Sequence, residues 1–154
     1  MTSVTVSAAA PLHLESVARV STERPARYAK QLVAHMGRKL EADWDADSEE
    51  GFLNFIRKGE LAASCALKAQ DGTLVMEISL PNSPAADDLA RIEQVVGIHL
   101  ARFGSKDSLA VQWQREDGAA GTSQGPMTPE EVAAHHRAKE ERRARETMAT
   151  HSSP

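Results

Sequence analysis

Aromatic side chains make up only 4% of this chain, and cysteine occurs once, as Cys65. With 41% hydrophobic residues a core can form, but it has to be built mostly from aliphatic side chains. A single cysteine rules out an intramolecular disulfide and points to a reducing compartment, so a cytoplasmic location is expected. No stretch approaches the roughly 20 apolar residues needed to span a bilayer, so no membrane partner is expected. Met1–Pro11 has neither a basic leader nor a long apolar run and reads as a disordered leader, not a signal peptide. Neither sign of charge dominates: the formal net charge is −4, which gives no general reason to bind nucleic acid. The chain also lacks a Gly-x-Ser-x-Gly elbow, a phosphate-cradling glycine loop and a Cys-x-x-Cys pair.

What is present is organised around Leu89–Trp113. Leu89, Ile92, Val96, His99 and Phe103 recur at helical steps and form one apolar stripe. Gly104 follows where a helix ends, and Leu109, Val111 and Trp113 then alternate as in a strand. Upstream, the strand Leu12–Val20 places Leu12, Leu14, Ser16, Ala18 and Val20 on one face. The next helix, capped by Thr22, runs to about Leu40 with Tyr28, Ala29, Leu32, Val33 and Met36 inward and His35 at the margin. Four short strands follow, at Glu41–Trp44, Phe52–Ile56, Leu61–Leu67 and Leu74–Leu80, joined by polar turns. Ser83 and Pro84 open the second helix.

The order β-α-β-β-β-β-α-β implies an α+β fold: a single antiparallel sheet with two amphipathic helices on one face. The domain is expected at 12–116, followed by a flexible linker at 117–127 and a charged tail at 128–154 that is helical or disordered. Thr128-Pro129-Glu130-Glu131 reads as a capping box that starts the tail helix.

His99 on the buried stripe is the sharpest chemical signal. A desolvated imidazole suits a metal or haem ligand or an acid/base, but a core histidine bonded to a backbone carbonyl explains it as well. If the helices lie side by side, His35 approaches His99, giving two metal ligands where a closed site needs more. Asp43, Asp45 and Asp47 alternate like a calcium loop, yet Ser48 and Asn54 occupy the key glycine and glutamate positions, so a solvated turn is expected. Adjacent His135 and His136 point different ways on a helix and make no two-toothed clamp. Cys65 reads as a small core hydrophobe.

Ala26–Leu32 with His35 and Lys39, His99–Phe103, and Leu109–Trp113 together resemble a bacterial family of small proteins catalogued as domain of unknown function 2218. The resemblance covers Leu12 to Arg115. It implies a link to iron uptake through siderophore-interacting ferric reductases, beside which family members are encoded or to which they are fused. It also implies that Tyr28, Lys30, Gln31, His35, His99, Arg102 and Phe103 belong to the family pattern. Two positions depart from it: Arg38 stands where a second histidine is expected, and Ser105-Lys106-Asp107 where an Arg-Glu pair is expected.

Three functions are therefore open. The first is a non-enzymatic accessory protein that binds an iron chelate or haem through Tyr28, Lys30, His35, His99 and Arg102, with His35 and His99 nearest a metal. The second is an interaction module that docks on a partner such as a siderophore-interacting reductase through its charged tail. The third is an enzyme using His99 as acid/base, and it ranks last because no nucleophile, carboxylate pair or cofactor loop accompanies the histidine; no catalytic residue is assigned.

Overall fold

A computed structural model of the chain describes residues 12–81 and 86–151. The expected leader and the Ser83-Pro84 helix opening lie outside them. The elements run β1 (Leu12–Ser21), α1 (Pro25–Met36), β2 (Glu41–Asp45), β3 (Glu50–Arg57), β4 (Glu60–Gln70), β5 (Thr73–Pro81) and α2 (Ala86–Phe103). A single 3-10 turn (Ser105–Asp107), β6 (Val111–Arg115), β7 (Ala120–Gln124) and α3 (Pro129–His151) complete the order. Seven strands form one antiparallel sheet in the order β2-β3-β4-β5-β1-β6-β7, and α1 and α2 pack together on one face. The fold is the α+β arrangement expected from the hydrophobic spacing, with the tail as helix α3 and the sheet extended by β7.

Cross-strand register sets what each helix meets. Ala42, Leu53, Cys65, Ile78, Ser16 and Arg115 stand opposite one another in a row across six strands. The row is apolar from β2 to β5, where α1 lays Ala29, Leu32, Val33 and Met36 into the core. It turns polar at β1 and β6, where α2 lowers Glu93 onto it. The Glu93 carboxylate is fully buried and accepts bonds from Ser16 Oγ (2.7 Å), Arg115 Nη2 (3.1 Å) and the backbone and hydroxyl of Thr122 (3.0 and 3.1 Å). Burial alone would raise its pKa, but the bonds from Arg115, Ser16 and Thr122 outweigh that and hold it below the ordinary carboxylate value.

Four expectations need correction. The Leu12–Val20 alternation breaks, because a bulge between Leu14 and Ser16 switches the phase and leaves Leu14 39% exposed. Thr22 does not cap α1. Arg24 is the N-cap residue, and the Thr22 hydroxyl accepts from the Arg24 backbone N–H two residues on (3.1 Å), just before the helix. The helix also ends at Met36, because residues 37–40 fold back in tight turns, Leu40 N–H donating to the Met36 carbonyl (2.8 Å), to enter β2.

The fourth correction concerns the segment expected as a linker, which contains β7. Its small residues are what close packing under α2 requires. A Cβ at Gly121 would stand 2.6 Å from Glu93 Oε2 and 2.8 Å from Trp113 Cβ, and one at Gly97 on α2 would stand 1.8 Å from Gln124 Oε1. Gln124 is held there by the Trp113 indole N–H (2.8 Å) and by its own amide, which donates to Thr122 Oγ1 (2.8 Å).

The capping box is present: Glu131 N–H donates to Thr128 Oγ1 (3.1 Å), and the Thr128 N–H and hydroxyl return to Glu131 Oε1. Cys65 is fully buried, its thiol pushed up to about 12 by burial, in keeping with a core role. The Asp45 carboxylate caps its own turn, accepting from Asp47 N–H (2.9 Å), as a solvated turn should.

Candidate functional site

The pairing of α1 with α2 brings His35 and His99 together, with ring centroids 5.1 Å apart. His35 also meets Phe103 edge-on at 5.3 Å. His99 Nδ1 lies 2.7 Å from the Val95 carbonyl one turn earlier. A carbonyl only accepts, so Nδ1 carries the proton, and the neutral ring keeps its lone pair on Nε2. Burial is the largest cause that lowers the pKa of both imidazoles. Next, the Val95 bond raises His99, while the charge of His99 lowers His35; Arg102 and Lys139 lower both.

The two rings border a groove of about 480 Å³. Its apolar floor is Leu40, Phe55 and Val95, and its rim carries Arg38, Lys39, Lys139 and Arg143 with no acidic residue. A chain with an excess of acidic residues thus gathers four fixed cations around one pair of imidazoles.

Two of those cations come from α3, the segment expected as a charged tail, helical or disordered. Most of α3 is exposed, but Val132 and His135 are half-buried, and Lys139 and Arg143 continue the same three- and four-residue steps over the groove. His135 comes close enough to Arg102 for that charge to be the largest cause lowering its pKa.

The remaining expected site residues fall elsewhere. Tyr28 is buried, and its hydroxyl donates to Asp107 Oδ2. With Arg102 it lines a different groove, at the other end of the helix pair, together with Arg24, Arg27, Gln31 and Lys106. Lys30 is exposed and lines neither groove. The space between helices and sheet is filled by core residues such as Leu32, Met76 and Leu100. Among the described residues no group of three or more His, Cys, Asp and Glu side chains stands close enough to hold a metal ion. His35 and His99 are thus a pair without a third protein ligand. Among those residues, too, no helix is long and apolar enough to cross a membrane.

Sequence reasoning missed Arg24, Arg27, Lys106, Lys139 and Arg143. Their only sequence signal is pairing at i,i+3 or i,i+4, which surface charges commonly share.

An α+β sheet roofed by two helices, with basic grooves on the helix side, defines a class of small domain without defining an activity. The chain belongs to the bacterial family described as "Uncharacterized protein conserved in bacteria (DUF2218)", which matches residues 17–114. It is also similar to the NMR structure of PA4090 from Pseudomonas aeruginosa. That match has 33% identity and a TM-score of 0.50, and covers 66% of this chain and 96% of that one. The chain matches no curated protein. Helix α3 and the whole of β7 lie beyond the family match.

Proposed function

We propose that the protein is a non-enzymatic binding protein whose His35–His99 groove takes an anionic ligand, an iron–siderophore chelate being the ligand class. The observation that carries this reading is the ring of Arg38, Lys39, Lys139 and Arg143 around two neighbouring imidazoles, without one acid among the lining residues. A groove of about 480 Å³ is within the range of small-molecule sites, roughly 300–1,000 Å³.

Two imidazoles are too few to strip and hold a bare ferric ion, so the iron would arrive inside its own chelator. A ferric tris-catecholate is triply anionic and presents aromatic edges. The cations would meet its charge and the Phe55–Leu40 floor its apolar surface. His99 Nε2, held by the Nδ1 bond to Val95, faces a ligand as an acceptor when neutral and as a donor when protonated. Haem, with two propionates and an iron open to imidazole, is the alternative iron ligand. A siderophore-interacting reductase is the partner this reading implies.

Calorimetric and absorbance titration of the full chain with a ferric tris-catecholate and with haem tests the proposal. Saturable binding that weakens in Arg38→Gln and Lys139→Gln supports it, and no binding of either ligand defeats it.

Docking of a partner protein through α3 is the second reading, favoured by the exposed stretch of residues 136–147. The two readings separate on a simple measurement: a docking helix loses its partner when α3 is removed but leaves the chelate titration unaltered.

A further inference from the structure

We infer that the second groove, at the N-terminal end of α1, is a binding site for a diphosphate group, either free or at the end of a larger ester. The argument is independent of the histidine groove. Arg24 and Arg27 stand three residues apart at the start of α1, and Arg102 and Lys106 four residues apart across the end of α2. The two pairs border one depression of about 450 Å³.

Among the described residues, none of these four cations has a carboxylate within ion-pair distance; the ion pairs formed are Lys68–Glu77, Arg91–Asp88 and Arg115–Glu93. The one acid at the rim, Asp107, is engaged by the Tyr28 hydroxyl. Arg102 supplies an independent sign of a missing acceptor. Its Nε is the one buried side-chain polar atom among the described residues with no hydrogen-bond partner. An unmet buried donor is costly, and more so on a charged group.

The chemistry follows from the donors. Guanidinium forks match phosphate oxygens two at a time, and a lysine ammonium adds a compact charge. Two facing pairs of cations suit two linked phosphates better than one.

The test is calorimetry of the full chain with inorganic pyrophosphate and, separately, with ADP, at fixed ionic strength. Arg24→Gln/Arg27→Gln is compared with Arg57→Gln/Lys58→Gln, which removes the same charge at the exposed β3–β4 turn. The first variant should lose about tenfold or more in affinity, as expected for one or two charge-assisted bonds, while the second stays unchanged. Amide resonances of Arg24–Tyr28 and Arg102–Lys106 should move during the pyrophosphate titration. Equal affinities for the two probes assign recognition to the diphosphate alone, and tighter ADP binding adds contacts to the ester, both within the proposal. No saturable binding, or equal losses in the two variants, overturns it.

Discussion

The His99 imidazole stands 5.1 Å from that of His35, and its Nδ1–H is tied to the Val95 carbonyl at 2.7 Å. Because the carbonyl already belongs to a helix turn, removing the imidazole leaves no buried donor unmet. His99→Leu should therefore change stability by less than about 1 kcal/mol. The same substitution should weaken chelate binding. Urea denaturation beside the titration checks both, and a large loss of stability would mark His99 as a structural residue.

The two imidazoles also set a pH dependence. Burial lowers both pKa values, and each ring adds charge beside Arg102 and Lys139. The unfolded chain then binds more protons than the folded one below the ordinary imidazole value of about 6.5. Stability from this source is complete above that pH and is lost as pH falls through it toward the lowered values. In His35→Gln/His99→Gln this part of the pH profile should disappear. Urea midpoints measured from neutral to mildly acidic pH decide the matter, and parallel profiles for wild type and variant would refute it.

Glu93 ties α2 to three strands through Ser16, Arg115 and Thr122. Glu93→Ala removes one member of a buried pair and strands the Ser16 hydroxyl and the Thr122 N–H, so a loss of about 3–5 kcal/mol is expected. Its lowered pKa gives linkage of the same sign as the histidines, in a more acidic window: the contribution is present above the unfolded carboxylate value of about 4.3 and is lost as pH falls from there through the folded one. Equilibrium urea unfolding measures the loss, and a near-neutral result would deny Glu93 its anchoring role.

Two truncations separate sheet from roof. Ending the chain after Gln124 removes α3 and keeps β7, so the fold should persist while chelate affinity falls with the loss of Lys139 and Arg143. Ending it after Arg115 removes Thr122 and Gln124 as well, so Glu93 keeps Ser16 and Arg115 but loses both Thr122 bonds, and the Trp113 indole N–H loses its acceptor. That second chain should lose several kcal/mol or fail to fold, at about 1–3 kcal/mol for each stranded buried group. Circular dichroism melts of both chains give the comparison.

Apolar spacing made much of this architecture readable. The stripes of α1 and α2 and the alternation of β4 and β5 follow directly from periods of 3.6 and 2. The approach of His35 to His99 followed from placing two such helices on one face. Other features depend on contacts distant in sequence. Residues 120–124 look like a linker because Gly121 and its small neighbours lack apolar pattern, yet that smallness lets β7 pass against Glu93 and Trp113. Glu93 reads as one more helix acid, since its partners lie 22 to 77 residues away. The basic grooves were hidden for the same reason: Arg38 and Lys139 are far apart in the chain, and the net charge of −4 masks their convergence.

The most direct measurement is calorimetric titration of the wild-type chain with a ferric tris-catecholate, repeated on Arg38→Gln/Lys139→Gln. Saturable binding that falls by about tenfold or more in the variant is the predicted result, as two charged contacts are lost. The absence of saturable binding, or equal affinity in both proteins, would contradict the assignment of the groove.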